Sequence, residues 1–272
     1  MPLTHLNTLI VIPTFNNAGT LDDVVTRTLR LDYPLLVVND GSTDNTEEIL
    51  KKLQEEPWNQ VWHFSNSASR APFTASQKSR LTVLSHRINL GKGLALKTAF
   101  QYAREQGFRF VVTLDADGQH FPEDIPAMLK AAGENMLVVG SRSIQGADGG
   151  SSFANRFSNF WFKVFTWKEL PDTQTGFRVY PLDDIPSYKS LSARYEAEFA
   201  ILVTSAWKGV RLVPVPIRVD YPENRVSHFR PVADFLRITL LNICLLPASL
   251  FYGWPRMLLR LFSGFRANWN DE

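Results

Sequence analysis

Residues 110–120 have the sequence FVVTLDADGQH, in which a short apolar run is followed at once by two aspartates, Asp115 and Asp117. A continuous apolar run of roughly four to eight residues with β-branched side chains is typical of a buried strand. Phe110–Leu114 is therefore predicted to be a strand. Runs of the same kind predict three more strands, at Leu9–Ile12, Leu35–Val38 and Met136–Val139.

Helical patterns lie between these runs. They span Thr20–Leu31, with Thr20 as the predicted N-cap, then Asp44–Leu53, and then Leu94–Gln106, which ends before Gly107. Strands that alternate with helices are joined by right-handed crossovers and form parallel sheets. The sequence thus predicts an α/β fold with a mostly parallel sheet and helices on both of its faces.

The alternation fades in the second half of the chain. Helices are predicted at Ser152–Trp167 and Glu196–Trp207, and an edge strand or extended segment with two prolines at Leu212–Val219. Two very apolar helices are predicted at Asp234–Leu246 and Leu250–Phe262.

The composition is that of a chain with a large core and little overall charge. Hydrophobic residues make up 44% of the 272 residues and the net charge is +2, which excludes general disorder and gives no sign of nucleic-acid binding. The single cysteine, Cys244, allows neither an internal disulfide nor a zinc site built from thiolates. Residues 1–7 lack the pattern of a signal peptide, so we do not expect export.

The last part of the chain is basic as well as apolar. From Trp207 to Arg266 there are nine lysine or arginine residues and three acidic ones. Residues 238–254 barely reach the length of a membrane-spanning helix, and Arg237 and Arg256 flank them. We favour helices that lie in the membrane interface over a spanning segment or helices packed on the core.

Three polar segments directly follow predicted strands. They are Pro13–Asn17, Asn39–Ser42 and Asp115–His120. The carboxyl ends of parallel strands share one edge of a sheet, and open α/β sheets bind their ligands at that edge. We therefore expect the three segments to line one binding site.

Asp115 and Asp117 flank the small Ala116 at the end of a buried strand. Two carboxylates in such a position repel each other and are costly to desolvate. A hard divalent cation, Mg²⁺ or Mn²⁺, would remove both costs, and substrate phosphates usually complete its coordination. The alternative is a solvated loop or helix cap that happens to contain two acidic side chains.

Four more residues near these segments carry charges that suit a phosphorylated ligand. Asp40 could accept a hydrogen bond from a ribose or a nucleobase, and Lys92 could reach a phosphate at a helix N-terminus. Arg142 follows the strand at 136–139, Arg156 lies one predicted helix onward, and arginine binds phosphate through paired hydrogen bonds. The alternatives are ordinary turns at the first two positions and surface cations at the arginines.

Six short motifs occur in a fixed order along the chain. They are Ile12–Asn16, Asn39–Asp44, Asn89–Gly93, Asp115–His120, Gly140–Arg142 and Asp172–Arg178. Together they resemble family 2 glycosyltransferases of the GT-A fold, and most closely the dolichyl- and polyprenyl-phosphate mannosyl- and glucosyltransferases. The resemblance covers about Leu9 to Tyr221. It implies a GT-A, Rossmann-like domain at 1–222. The basic, apolar composition of residues 223–272 predicts amphipathic membrane-interface helices after this domain.

The resemblance implies inverting transfer of a hexose from a nucleoside-diphosphate sugar, a UDP- or GDP-hexose. The expected donor-binding residues are Pro13, Asn17, Asp40, Lys92 and Asp115. Asp115, Asp117 and Gln119 would surround Mg²⁺ or Mn²⁺. Asn17 stands where the family's first motif usually has a glutamate, so the resemblance does not identify the nucleobase.

The resemblance also implies an acceptor site. Arg142 and Arg156 match the arginines that hold an acceptor lipid phosphate in this family. Asp172 and Gln174 match the part of a family motif that lies near the sugar. Asp117, Asp172 and Arg142 are the expected catalytic residues.

The nature of the acceptor decides whether the reaction needs a base. A lipid phosphate is already ionised, whereas a hydroxyl must lose its proton to a nearby carboxylate. For a hydroxyl, Asp172 is the first candidate base, followed by Glu196 or Glu198, one of which matches an acid in the helix that closes the site. We favour a polyprenyl-phosphate-type lipid over a saccharide or other hydroxyl acceptor in cell-envelope polysaccharide or glycolipid synthesis.

Two other classes of function compete with this interpretation. A nucleotidyltransferase can share the sheet and the metal carboxylates, but it usually has a glycine-rich, arginine-containing loop where Thr14–Gly19 has one glycine and no arginine. An inactive nucleotide-binding scaffold would not need Asp115, Asp117 and Asp172. The expected partners are a nucleotide sugar, a lipid phosphate and a membrane surface, without nucleic acid. The expected location is the cytoplasmic face of the membrane, as a peripheral or monotopic protein.

Two segments show no periodic pattern. Ser65–Ser79 is predicted to be a surface insertion. Ser227–Pro231 is basic and aromatic, and we expect it either to meet a lipid phosphate or membrane surface or to pack on the last helices.

Overall fold

The computed structural model describes residues 7–56, 80–142, 149–186, 196–220 and 231–268, and within these ranges seven strands form one sheet. The strands are β1 Thr8–Thr14, β2 Leu35–Asn39, β3 Leu81–Ser85, β4 Phe110–Thr113, β5 Met136–Arg142, β6 Arg178–Pro181 and β7 Arg211–Ile217. The predicted insertion at Ser65–Ser79 lies outside the described residues, as does the basic, aromatic segment except for Pro231.

The order of the strands across the sheet is β3-β2-β1-β4-β6-β5-β7. Among them, β6 alone runs antiparallel, between β4 and β5, and all the other described pairings are parallel. The mostly parallel sheet is therefore confirmed. The segment with two prolines forms the edge strand β7, as predicted, where a missing N–H costs little.

Helices cover both faces of this sheet. They are α1 Leu21–Leu29, α2 Thr46–Glu55, α3 Lys92–Glu105, α4 Ile125–Lys130, α5 Gly149–Thr166, α6 Glu196–Lys208, α7 Pro231–Ala248 and α8 Trp254–Asn268. Ile10 and Ile12 of β1 pack with α1, α2 and α4, whereas Leu9 and Val11 pack with α3, α5 and α6. Both faces of β1 are thus buried, which explains its uninterrupted apolar sequence.

Side chains near the starts of α1 and α2 also bond to the turns that follow β1 and β4. Thr20 is the N-cap residue of α1, as predicted, but its hydroxyl makes no capping bond and donates instead to the main-chain carbonyl of Ala116 at 2.6 Å. Asp44 accepts the amide of Thr46, the first residue of α2, at 3.0 Å. Its other carboxylate oxygen accepts the amide of Ala18 at 3.1 Å. The Thr20–Ala116 bond and the Ala18–Asp44 bond hold the turn after β1 against the turn after β4 and the residues before α2.

The C-terminal helices pack on α5 and α6 through aromatic side chains. Trp207 of α6 donates its indole N–H to the carbonyl of Phe165 at 2.9 Å. The same indole lies against Gly253, where an added Cβ would be 2.4 Å from the ring. Trp167 and Trp254 stack with 5.8 Å between their ring centroids. The close approach of α8 to the core therefore depends on a residue without a side chain.

Much of the outward surface of these helices is apolar. The side chains that form this apolar face are 43% to 80% exposed, and they are Leu240, Ile243, Leu246, Leu250, Phe251, Tyr252, Leu258, Leu259 and Phe262. A π-helical turn at Ser249–Gly253 joins α7 to α8. Of the helices in the described ranges, none combines the length and the hydropathy that crossing a bilayer would need.

Candidate active site

The turns that follow β1, β2 and β4 meet at one edge of the sheet, as the topology predicts. The amide of Asp40 donates to the carbonyl of Thr14 at 2.8 Å, and the amide of Asn16 donates to the hydroxyl of Ser42 at 3.0 Å. The bond between Thr20 and Ala116 joins the third turn to the first. The polar residues after three separate strands therefore form one surface.

Lys92, the first residue of α3, lies between two carboxylates. Its Nζ is 2.6 Å from Oδ1 of Asp115 and 2.9 Å from Oε2 of Glu198. Burial alone would lower the pKa of Lys92, but the two carboxylates raise it above its ordinary value. Burial would in turn raise the pKa of Asp115, but nearby cations, Lys92 foremost and Arg178 among them, lower it below its ordinary value. These two ion pairs join α3, α6 and the turn after β4.

Asp117 and Gln119 form a tight polar turn beyond Asp115. The carboxylate of Asp117 accepts the main-chain N–H of Gln119 at 3.1 Å and its side-chain amide at 2.6 Å. Within the described ranges, no group of three or more His, Cys, Asp or Glu side chains is arranged to hold a metal. Carboxylate and amide oxygens are nevertheless the ligands that Mg²⁺ and Mn²⁺ take alongside substrate phosphates. The residues of this turn fit such an ion.

Asp40 is buried and holds the loop that precedes α3. Its carboxylate accepts the main-chain N–H groups of Leu90 at 3.0 Å and Gly91 at 2.7 Å, and it lies 2.7 Å from Nδ1 of His86. The other ring nitrogen of His86 is 2.9 Å from the hydroxyl of Thr98. Asp40 therefore positions the backbone immediately before Lys92, and its contact with a donor stays a prediction.

Pro13 and Asn17, which were also predicted to contact the donor, lie at and beyond the end of β1. Pro13 is buried in the sheet opposite Val38. The side-chain oxygen of Asn17 accepts the hydroxyl of Thr14 and the amide of Phe15, each at 3.3 Å. Asn17 thus shapes the turn, and the donor contacts of both residues stay predictions.

Arg142 and Asp172 form a bidentate ion pair. Nε of the arginine is 2.6 Å from Oδ2, and Nη2 is 3.1 Å from Oδ1. Asp172 also accepts the amides of Gln174 at 3.0 Å and Thr175 at 3.2 Å. Only 1% of the Asp172 side chain is exposed, against 20% of Arg142. The aspartate is enclosed, whereas the arginine keeps part of its surface at the site.

The remaining predicted residues lie on the two helices that flank these pairs. Arg156 is an exposed residue of α5. Glu198, and not Glu196, is the acidic residue of α6 that bonds Lys92. A phosphate contact at Arg156 stays a prediction.

His120, the last residue of the predicted polar segment Asp115–His120, is buried, and no role of its own was predicted for it. Its ring lies on Phe177, with 5.5 Å between the ring centroids, and neither ring nitrogen has a partner among the described residues. Burial lowers the pKa of His120 to about 4. The charged residues that act on it come from both ion pairs, and they are Lys92, Asp115, Arg142 and Asp172. The two pairs therefore lie close to the same buried ring.

Gly176 lies within the predicted motif Asp172–Arg178, but no role of its own was predicted for it. It lies directly against the lysine–aspartate pair. A Cβ at this position would be 2.5 Å from Oδ2 of Asp115 and 2.6 Å from Nζ of Lys92. The hydroxyl of Thr113 donates to the Gly176 carbonyl at 2.7 Å and fixes the loop there. Only glycine lets this loop approach the charged pair so closely.

The model of the family described as Glycosyl transferase family 2 matches residues 9–185, which is more than half of the chain. The chain belongs to this family. The matched region begins on β1 and ends just beyond β6, so it includes the turns that carry the two aspartates, Asp40 and the Arg142–Asp172 pair.

Several relatives of this glycosyltransferase are named for lipid phosphates. The undecaprenyl-phosphate mannosyltransferase of Micrococcus luteus is 28% identical, over 78% of the chain and 83% of the relative. The UDP-N-acetylglucosamine–dolichyl-phosphate N-acetylglucosaminyltransferase of Methanococcus voltae is 27% identical, over 79% and 86%. The polyprenol monophosphomannose synthase of Mycolicibacterium smegmatis is 27% identical, over 81% and 80%.

A solved structure shares the fold of this glycosyltransferase. Glucosyl-3-phosphoglycerate synthase from Mycobacterium tuberculosis, in complex with Mn²⁺, uridine diphosphate and glucosyl-3-phosphoglycerate, superposes with a TM-score of 0.59. The alignment covers 89% of this chain and 79% of that one, at 18% identity. The predicted GT-A fold is thereby confirmed.

Proposed function

We propose that this glycosyltransferase moves a hexose, with inversion, from a nucleoside-diphosphate sugar to a polyprenyl-phosphate-type lipid. One observation carries the proposal: the loop that begins at Asp172, the partner of Arg142, packs through Gly176 directly against the Lys92–Asp115 pair at the carboxyl edge of the sheet. Such a cluster offers cations and metal ligands to two phosphorylated substrates at once. The relatives named for undecaprenyl, dolichyl and polyprenol phosphates support the choice of acceptor.

On the donor side, the residues after β4 would receive the diphosphate. Mg²⁺ or Mn²⁺, held by Asp115, Asp117 and Gln119, would neutralise the charge that develops on the departing diphosphate. The 2.6 Å bond from Lys92 fixes Asp115 before the donor arrives, so little reorganisation is needed at the moment of reaction. Asp40 contributes by holding the loop from which Lys92 projects.

On the acceptor side, a lipid phosphate carries negative charge at neutral pH and can attack the sugar without a general base. Arg142, held in one orientation by both oxygens of Asp172, would bind this phosphate, with Arg156 as a second cation. Holding the phosphate in line with the leaving group supplies much of the rate enhancement. The enclosed carboxylate of Asp172 suits this holding role better than that of a base.

A hydroxyl acceptor, on a saccharide or a glycolipid of the cell envelope, is the second candidate. Glu198 favours it, because Oε1 of this buried side chain has no partner among the described residues while Oε2 bonds Lys92. A carboxylate oxygen in this position could accept the proton of an attacking hydroxyl. Glu198→Gln should then reduce transfer to a hydroxyl by about 100-fold or more. Transfer to a lipid phosphate would fall much less.

A lipid acceptor would bring the enzyme to a membrane surface, and the C-terminal helices suit that location. The apolar face of α7 and α8 is accompanied by two exposed arginines, Arg256 and Arg260. Apolar and basic side chains on one helix favour the interface of an anionic membrane. The unpaired Cys244 is compatible with a reducing compartment, and we place the enzyme at the cytoplasmic face.

The decisive experiment offers the full chain a set of radiolabelled UDP- and GDP-hexoses with Mn²⁺ or Mg²⁺ and vesicles that contain a polyprenyl phosphate. We expect label in an organic-extractable product, and we expect none with excess chelator. Label that appears only in a water-soluble glycan, when a saccharide is supplied, would favour the hydroxyl acceptor instead. Unchanged transfer in excess chelator would refute the part assigned to the divalent ion.

A further inference from the structure

Arg178 is the first residue of β6 and has no exposed surface. Its main chain pairs with Thr113 of β4 and Val139 of β5, so it stands in the middle of the sheet. A guanidinium in such a place is costly to desolvate unless its N–H groups find acceptors. None of the roles proposed for the donor or acceptor side involves this buried charge.

The side chain of Arg178 bonds main-chain carbonyls from two separate segments. Nε donates to the carbonyl of Thr175 at 2.8 Å and Nη2 to that of Thr173 at 3.0 Å, both in the loop that follows Asp172. Nη1 donates to the carbonyl of Glu198 at 2.7 Å, in the first turn of α6. One side chain therefore ties this loop to α6.

Both of the segments that are tied together carry residues of the site. Asp172 begins the loop and holds Arg142, whereas Glu198 holds Lys92. We propose that Arg178 is a positioning residue, which sets the acceptor-side pair at the correct distance from the donor-side pair. The inference rests on the proposed function, because that function assigns the two pairs to the two substrates.

The turns that we assign to the nucleoside do not depend on Arg178. Asp40 accepts hydrogen bonds from the loop before α3, and Asn17 accepts hydrogen bonds from residues at the end of β1. Loosening the tie should therefore slow transfer while a nucleoside still binds. A misplacement of about 1 Å in a site can cost about 100-fold in rate.

Arg178→Lys tests this inference, because a single ammonium keeps the charge but cannot reach three carbonyls with a fixed planar fork. We expect kcat to fall by about 100-fold, while the Kd of uridine or guanosine, whichever nucleoside the wild type binds, changes by less than about twofold. Arg104→Lys is the matched control. Arg104 also donates to a main-chain carbonyl, that of Leu182 just beyond the other end of β6, and this variant should keep its kcat.

Hydrogen exchange gives a readout that does not depend on turnover. In Arg178→Lys the bonded amides of residues 173–175, and those of residues 200–203 in the second turn of α6, should exchange at least about tenfold faster than in the wild type. The amides of β1 and β2 should not change. Should the wild type transfer no sugar to any acceptor, the proposed function fails, and the exchange rates still decide whether Arg178 ties the loop to α6.

Wild-type kcat in Arg178→Lys would overturn the inference. A parallel loss of thermal stability and nucleoside binding would also overturn it, because Arg178 would then serve folding alone. Arg178→Gln, which keeps a neutral NH₂ donor, is the second variant. If neither variant folds, Arg178 is assigned to folding and the inference is rejected.

Discussion

At the scale of single residues, the two aspartates after β4 have different environments. Asp115 is bonded to Lys92, whereas Asp117 accepts the main-chain and side-chain N–H groups of Gln119. Asp117→Ala should therefore remove a metal ligand without releasing Lys92. We expect transfer to fall by about 100-fold or more, because several kcal/mol of charge stabilisation is lost. Calorimetric titration of Mn²⁺ in the presence of the nucleoside diphosphate should show the matching loss of affinity.

Asp183→Ala is the control for this prediction. Asp183 is an exposed aspartate that lies 3.6 Å from Arg109, just beyond β6 and away from the carboxyl edge. Its removal should change neither Mn²⁺ affinity nor transfer. Full transfer by Asp117→Ala would mean that the ion, if one is used, is held elsewhere.

His120 should make the stability of the protein sensitive to acid. Burial lowers its pKa to about 4 in the folded protein, against about 6.5 in an unfolded chain. The unfolded state thus binds more protons between these values, and the free energy of unfolding falls as the pH is lowered through them. This one group should account for a loss of about 2 kcal/mol between about pH 7 and pH 4.5.

His120→Phe keeps an aromatic ring against Phe177 and removes the titrating group. Urea unfolding at the two pH values should show a smaller acid-induced loss than in the wild type, by about 2 kcal/mol. Equal losses in the two proteins would show that the acid sensitivity comes from carboxylates such as Asp115 instead.

The sequence identifies the site residues that directly follow strands, because the position of a strand end determines where the next side chains lie. Asp115, Asp117 and Arg142 are of this kind. It does not identify the tie made by Arg178 or the partner of Lys92, because those contacts join segments that are far apart in the chain. Such contacts depend on how α6 packs against the sheet, which no local pattern encodes.

At the scale of elements, the strands marked by an apolar run or by edge prolines were predictable, whereas β3, β6 and the short helix α4 were not. The strand β6 has four residues, of which one is the buried Arg178 and one is Pro181, so no apolar run marks it. In β3 only the first residue is fully buried, so its sequence alternates weakly. The helix α4 has six residues and contains Pro126, too few for a helical period to be seen.

The junction between α6 and the C-terminal helices gives a prediction about packing. Gly253→Val would bring its side chain into Trp207, whose ring is already 2.4 Å from an added Cβ. Overpacking of this kind should lower the free energy of unfolding by about 1–3 kcal/mol and make α8 more sensitive to protease. Thermal unfolding and limited proteolysis measure the two effects.

Gly133→Ala is the matched control for the junction. A Cβ at Gly133 would meet only the flexible side chain of Met136, at 3.4 Å. This variant should unfold like the wild type. If Gly253→Val did so too, α8 would not be docked closely against Trp207.

At the scale of the whole molecule, the same two helices face the site and the C-terminal region. The first turn of α6 carries Glu198, and its last turns carry Trp207, which contacts Gly253. The helix α5 carries Arg156 and ends beside Trp167, which stacks on Trp254. The site and the apolar face are therefore parts of one packed unit, as the proposed transfer to an acceptor in a membrane would need.

Membrane binding should then depend on the apolar face and not on apolar exposure in general. Replacing Phe251, Leu259 and Phe262 with serine removes three side chains that are 80%, 69% and 69% exposed, so the fold should lose little. If each contributes about 1 kcal/mol by partial insertion, binding to anionic vesicles should weaken by about 100-fold. Ile88→Ser is the control. It removes an apolar side chain that is 66% exposed at the carboxyl edge of the sheet, and it should leave vesicle binding unchanged.

Two measurements separate membrane binding from nucleotide binding. The first is co-sedimentation with vesicles, and the second is binding of the nucleoside diphosphate in solution. The triple variant should bind the nucleotide as the wild type does, because the donor-side turns lie on β1, β2 and β4, apart from α7 and α8. Its transfer to vesicle-borne acceptor should fall with its vesicle binding. Undiminished sedimentation of the triple variant would show that the apolar face of α7 and α8 does not contact the lipid.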